Sequence, residues 1–270
     1  MIVDHVQRWE GGREKRRPAG EVIRTADYEA APIAEASVAR SFVETHHYSR
    51  TCSSLAHRFG LYRHGALVGV AAFGPPPSVN AHRAVFPTLE YSEAVTLGRF
   101  VLLDSVPGNG ESWFLARCFA MLVDAGVVAI ESCSDPIARR ADDGTVRHRG
   151  HVGTIYQATN GRYVGRTNPA SLSLLPDGTV LNNRAQGKLA RGERGADHAM
   201  QQLVRCGATP MNANEDPLAW LRTWRAQICR PLRHPGNFRY LWCLDKKRKR
   251  EVLTRPALAY PKIDLVAVAR

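Results

Sequence analysis

Two short stretches gather side chains able to do chemistry. Glu131-Ser132-Cys133-Ser134-Asp135 follows the apolar run Val127 to Ile130. In an open α/β sheet, ligands bind beyond the carboxyl ends of strands, so hydroxyls and a carboxylate here stand where a substrate would be handled. The alternative is an ordinary helix-capping Ser or Asp in a βα loop. His46-His47-Tyr48-Ser49 closes the segment Ile33 to Thr45, whose apolar residues recur at helical spacing, so a helix delivers imidazoles and a phenol to a loop.

The elements needed to hold these groups follow from patterning. The spacing predicts a strand at Val22-Ile23-Arg24, the helix over 33–45, and a hairpin of Phe59 to Tyr62 and Ala66 to Phe73 around Arg63-His64-Gly65. A strand over 96–103 then leads through Pro107-Gly108-Asn109-Gly110-Glu111 into an apolar helix over 112–125. After the 127–130 strand comes a charged insertion, 136–150, then a helix or turn at 153–158, a strand at 162–165, and a second hairpin within 171–181. A basic, Gly-rich stretch spans 183–195. A short helix, 197–206, and a last strand, 238–244, complete the order. Residues 1–20 carry Gly, Pro and mixed charge without sustained periodicity and read as a flexible basic arm. Residues 21–270 then form a single domain with an insertion at 136–150 and a basic C-terminal elaboration.

Composition narrows the class. The 270 residues are 44% hydrophobic and 23% charged, which excludes disorder, and the net charge of +12 points to a polyanionic partner. Residues 136–195 hold ten Lys or Arg against four Asp or Glu, half of that net charge. Arg139, Arg140, Arg147, Arg149, Arg184, Lys188 and Arg191 from this region, with Lys246, Lys247 and Arg248, are the candidate phosphate contacts. The Lys246–Arg250 cluster reads equally as a solvated hairpin tip. Six scattered cysteines without a C-x-x-C pair suggest neither a zinc site nor a disulfide framework. With no apolar leader and no run of about 18 apolar residues, the expectation is a soluble protein of a cytoplasm. Trp220, Trp224 and Trp242 read as core.

The order helix, hairpin, strand, glycine turn, helix, strand resembles the acetyltransferase-like (GNAT) α/β fold, a mixed central sheet flanked by helices. In that fold the turn Arg/Gln-x-x-Gly-x-Gly/Ala holds the pyrophosphate of coenzyme A on backbone amides at a helix N-terminus. Ser105-Val106-Pro107-Gly108-Asn109-Gly110 keeps both glycines and replaces the leading Arg/Gln with Ser. Gly108, Asn109 and Gly110 are therefore the candidate cofactor residues, with acetyl-coenzyme A or another activated donor as ligand. A resemblance over about residues 40–262 is to the Mom family of phage DNA modification proteins. It lies in His47-Tyr48-Ser49, Gly69 to Pro75, Gly98-Arg99-Phe100, Ser132 to Pro136, His151 to Ala158, Arg239-Tyr240 and Tyr260-Pro261-Lys262.

That resemblance implies modification of the adenine N6 amine in duplex DNA to a carbamoylmethyl derivative, shielding phage DNA from host restriction in the host cytoplasm. It places Tyr48, Arg99, Ser134, Asp135 and Tyr156 at the functional positions, and it favours iron. The residues suit such chemistry. A stacked, paired adenine amine has a delocalised lone pair, so the base must be flipped and a strong electrophile supplied. Tyr48, Tyr156 and His151 offer one stacking surface and two hydrogen-bonding edges. Arg99 either grips a phosphate or donor carboxylate, or snorkels at a strand edge. Tyr48, Asp135 and Tyr156, with His47 or His151, form a hard ligand set that suits iron better than zinc. A carbamoylmethyl group is joined through its methylene carbon, so simple acetyl transfer would not produce it. The competing expectations are a conventional N-acetyltransferase, against which the missing Arg/Gln argues, and a non-catalytic DNA-binding protein on the same scaffold.

Overall fold

A computed structural model of the chain describes residues 5–52 and 55–262. The elements in chain order begin with β1 (His5–Glu10), β2 (Arg13–Pro18), β3 (Tyr28–Pro32), α1 (Ala36–His46), β4 (His57–Arg63), β5 (Ala66–Gly74) and α2 (Val79–Val85). They continue with β6 (Ala94–Leu102), α3 (Gly110–Asp124), β7 (Ala129–Ser134), β8 (Arg139–Arg140), β9 (Val146–His148), α4 (Thr154–Ala158) and β10 (Arg162–Arg166). The rest are β11 (Ala170–Leu174), β12 (Val180–Leu181), α5 (Asn183–Ala190), α6 (Asp197–Arg205), α7 (Pro217–Ile228), β13 (Arg230–His234), β14 (Phe238–Cys243) and α8 (Lys249–Val252).

The chain divides into two compact units rather than the single domain expected. Among the described residues, the first comprises 5–52, 55–135, 151–166 and 237–262; the second, 136–150 and 167–236. The expected insertion is thus one part of a second unit with a core of its own.

In the first unit a seven-stranded sheet runs β10-β14-β7-β6-β5-β4-β3, antiparallel throughout except for β6 beside β7. The crossover between that parallel pair is α3, as a parallel connection requires. Phe114, Leu115, Cys118 and Leu122 form its buried stripe. This is the mixed, helix-flanked central sheet of an α/β fold that the sequence pattern anticipates. His64 and Gly65, with φ of 48° and 81°, make the two-residue turn between β4 and β5. The strand expected at 22–24 is instead irregular, and β3 forms four residues later. Strand β7 runs on to Ser134, so the hydroxyls expected beyond a strand end lie within it.

Residues 5–18 are a β-hairpin, not the arm expected. Gly11 and Gly12 have φ of 55° and 74°, which suits a two-residue turn between strands of right-handed twist. Trp9 packs among Ile33, Ala39, Val43, Val70, Ala72 and Val101, fixing the hairpin to the unit's core.

The second unit builds the sheet β12-β11-β13 and the hairpin β8–β9. Leu175, Leu181, Leu189, Leu203, Trp220 and Leu221 make its core. The stretch 183–195 contains α5, whose first amides at 184 and 185 are capped by the Asn182 side chain. Asp216 caps α7, which has Pro217 at its first position. Trp220 and Trp242 are buried and Trp224 packs against the core, as expected. No helix among the described residues is long and apolar enough to cross a membrane.

Trp220 is 1% exposed and its indole donates to the Thr209 carbonyl at 3.1 Å. Trp220→Ala is expected to cost about 3–5 kcal/mol through cavity formation. Urea unfolding checks it, and a loss under about 1 kcal/mol would contradict the second core.

Candidate active site

The parallel pairing of β6 with β7 covers only Ala94↔Ala129 to Leu97↔Ser132. Beyond it the strands separate. The β5–β6 register shifts between Ala72↔Arg99 and Phe73↔Leu97, leaving Gly98 as an extra residue, and such a bulge bends its strand. Meanwhile β7 continues to Ser134 against β14, in the register Tyr240↔Ser132 and Phe238↔Ser134. Directly opposed residues share a face, so Ser132 and Ser134 stand beside Phe238 and Tyr240.

Helix α4 sits on this ground. The Tyr156 ring lies 5.4 Å from that of Tyr240, 5.6 Å edge-on from Trp242, and 6.5 Å from His151. Gln157 donates to the Tyr240 hydroxyl at 3.2 Å, and that hydroxyl donates to the Val152 carbonyl. Gly153, with φ of 72°, closes the approach. A Cβ there would lie 2.7 Å from the Tyr156 ring, 2.9 Å from Tyr240 and 3.1 Å from the Ser134 hydroxyl.

The Tyr156 hydroxyl is hydrogen-bonded to Ser132, and Ser132 donates to the Leu97 carbonyl at 3.0 Å. Since Ser132 has one proton, Tyr156 is the donor in their bond. Burial pushes the Tyr156 phenol well above its ordinary range; the Ser132 bond opposes this, the nearby Tyr48 hydroxyl reinforces it, and Arg99 opposes it. Tyr48 and Arg99, from two distant segments, therefore each come within electrostatic reach of Tyr156. Asp135 joins through the backbone, its carbonyl accepting the His151 amide at 2.8 Å. Ser134 is fully buried and its hydroxyl has no hydrogen-bond partner.

Arg99 is more committed than its sequence position suggests. Its Nε and Nη2 donate to the Thr51 carbonyl and hydroxyl at 2.7 and 3.0 Å, and Nη1 donates to the Gly98 carbonyl at 2.6 Å. It thereby pins the loop carrying Tyr48. In that loop the His47 Nδ1 accepts the Ser49 amide at 3.1 Å, and the Tyr48 ring lies 4.2 Å from His47 and 5.0 Å from Trp9.

Two expected sites gain no support from the structure. Gly108, Asn109 and Gly110 do not form an open anion cradle. Pro107 has no amide, while those of Asn109 and Gly110 donate to the carbonyls of Glu21 and Pro107. A Cβ on Gly108 would lie 2.6 Å from the Pro18 carbonyl, so this glycine admits the chain's own backbone. The proposed metal set also lacks support. Among the described residues no three or more His, Cys, Asp or Glu side chains gather to hold a metal ion. Burial disfavours the phenolate that Tyr156 would contribute and outweighs the opposing Ser132 bond.

Among the expected phosphate contacts, Arg140, Arg149, Arg184, Lys246 and Lys247 are exposed. Arg147 and Lys188 are half-buried, and Arg147 donates to the Asp177 carbonyl. Arg139 is buried, Arg191 pairs with Glu193, and Arg248 pairs with Glu93 and Glu251. Ser132 belongs to the strand-end group that the sequence marks, whereas Thr51, Gly98, Gly153 and Tyr240 are not among the site residues it nominates. The exchange of apolar for hydroxyl residues along β7 is the only local signal that pointed near them.

A family model described as the Mom protein family matches residues 27–262. The chain belongs to the Mom protein family. No curated protein sequence matches this Mom-family chain. Among solved structures, it is similar to an N-acetyltransferase from Staphylococcus aureus Mu50 at 8% identity and a TM-score of 0.36, covering 81% of this chain and 99% of that one. It is also similar to a protein from Pyrococcus horikoshii described as an acetyltransferase, at 11% identity and a TM-score of 0.28, covering 75% of this chain and 79% of that one.

Two measurements check the Mom-family site. Gly153→Ala is expected to lose about 1–3 kcal/mol by urea unfolding, from left-handed strain plus contact with Tyr156; unchanged stability would contradict the packing. Burial, reinforced by the Glu131 carboxylate, pushes the Cys133 thiol up to about 12. Alkylation by iodoacetamide at pH 8 should therefore spare Cys133 in the native chain, where only roughly one thiol in ten thousand is ionised.

Proposed function

We propose that this chain is a transferase that modifies the adenine N6 amine of phage DNA, in the manner of carbamoylmethylation, and so protects that DNA from host restriction. The observation that carries the reading is the convergence of Tyr48, Arg99 and Tyr156 where β6 and β7 part, beside Ser132 and Ser134. Membership of the Mom family supports it. The net charge of +12 suits a duplex partner. In the second unit a groove of about 730 Å³ is lined by Ser171, Ser173, Asn183, Gln186, Arg225 and Arg230 among others, with no carboxylate. Exposed Arg140, Arg149 and Arg184 of that unit, and Lys246 and Lys247 of the first, supply phosphate contacts.

The chemistry asks for a flipped base held by neutral groups. Tyr48, its ring tilted against those of Trp9 and His47, offers an aromatic group to the base. Because Tyr156 spends its proton on Ser132, its oxygen is left to accept an N6–H and orient the amine. The Ser134 hydroxyl offers an unspent donor and Arg99 a fixed positive charge for a group leaving with the bonding electrons. When N6 bonds to the methylene carbon of a small activated donor, it loses one proton, and in this reading the Asp135 carboxylate receives it.

Nucleoside mass spectrometry of plasmid DNA co-expressed with the chain tests this. A deoxyadenosine derivative heavier by a carbamoylmethyl group is expected, reduced about 10²-fold or more by Tyr156→Phe and by Asp135→Ala. Unmodified deoxyadenosine under verified expression of the folded parent would end the reading.

A further inference from the structure

The glycine turn between β6 and α3 is occupied by a guanidinium of the chain itself. Arg8, in β1, is fully buried. Its Nε donates to the Val106 carbonyl at 3.2 Å, and its Nη2 donates to the carbonyls of Pro107 and Gly108 at 2.7 and 3.2 Å. Its Nη1 donates to the Gln7 carbonyl at 3.0 Å and pairs with the Glu111 carboxylate at 2.9 Å. Five partners thus meet the five N–H groups of one guanidinium.

The polarity is the reverse of a pyrophosphate cradle. Such a cradle turns backbone amides toward an anion. Here the turn presents three carbonyl oxygens to a cation, and Glu111 at the start of α3 supplies the anion. The amides are spent elsewhere, with Val106 donating to Leu103, Asn109 to Glu21 and Gly110 to Pro107. The end of the hairpin is stitched down as well. Arg17 pairs with Glu21 at 2.7 Å and donates to the Asp104 carbonyl, and the Asn109 side chain accepts the Ile23 amide at 2.7 Å. Residues 5–21 lie outside the 27–262 stretch that matches the family model.

We infer that the N-terminal hairpin is a resident part of the first unit that supplants the pyrophosphate of coenzyme A at this turn, so the group donor is a small activated molecule without a nucleotide-diphosphate handle. Glu111 serves as the internal counter-ion, and a pyrophosphate entering here would meet that carboxylate and three carbonyl oxygens.

The test is calorimetric titration of the full-length chain, without DNA, with coenzyme A and acetyl-coenzyme A. It is paired with amide hydrogen exchange over residues 105–112. No saturable binding is expected up to about 1 mM, with exchange in the turn unchanged by either compound. Arg8→Ala is expected to lower the melting temperature without creating affinity for coenzyme A. Saturable binding by the parent chain with slowed exchange at 109–111 would overturn the inference, as would an unchanged melting temperature in Arg8→Ala. Should that variant not fold, the parent titration decides alone. Because these readouts use neither DNA nor turnover, they stand or fall separately from the nucleoside assay.

Discussion

A parallel pair of strands that stays paired for only four residues sets the conditions for everything around it. Up to Leu97 and Ser132, β6 and β7 satisfy one another's backbone groups. Past that point each remains hydrogen-bonded on its outer side only, β6 to β5 and β7 to β14. The separation follows from one inserted residue, Gly98, whose bulge bends β6 while β7 runs straight on against its antiparallel neighbour. The Ser132 and Ser134 side chains lie on the face that α4 covers, with Tyr156 bonded to Ser132 and Gly153 close to Ser134. The hydroxyls at 132 and 134 are therefore usable because the sheet is locally incomplete.

What fills that opening is electrostatically quiet. Tyr156 is held neutral by burial, which outweighs the opposing Ser132 bond, and the Cys133 thiol is held neutral by burial beside Glu131. The buried Glu131 carboxylate is paired with Arg239 at 2.7 Å. Arg99, itself bound to Thr51, is a fixed positive charge near Tyr156. In a low-dielectric setting such groups keep their orientation without the reorganisation that charged, solvated groups would require. This suits an uncharged, weakly nucleophilic amine, which needs alignment and exclusion of water more than a strong base. The chain's positive surplus stands largely in exposed residues, where counterion release on a duplex would be effective.

How much of this could be read from the sequence depended on the range of the interactions. The β4–β5 hairpin was legible because His64-Gly65 carries its own turn geometry, and α3 was legible because its apolar stripe is local. The convergence of Tyr48, Arg99 and Tyr156 was reached through family resemblance, since no spacing rule links positions so far apart. The clamp of Arg99 on Thr51 was invisible for the same reason. Helices α5 and α7 were missed where Gly187 and a polar face diluted the periodicity, although Asn182 and Asp216-Pro217 were available as capping signals. The second unit was missed because its core is assembled from segments flanking residues that belong to the first.

The glycine turn shows why a motif needs its surroundings. Glycine at 108 and 110 fits two physical demands equally: close approach of a ligand, or close approach of the chain. Sequence supplies the glycines but not the occupant. The decisive residue, Arg8, lies about a hundred positions away in a segment whose charge pattern resembles a solvated tail. A lone two-stranded hairpin is marginal in water, so residues 5–18 hold their form through Trp9 in the apolar core and Arg8 in the turn. Removing one partner of the buried Arg8–Glu111 pair would strand the other at a cost of several kcal/mol. The pair is therefore costly to open, and a turn sealed in this way is better understood as a structural joint than as a gate.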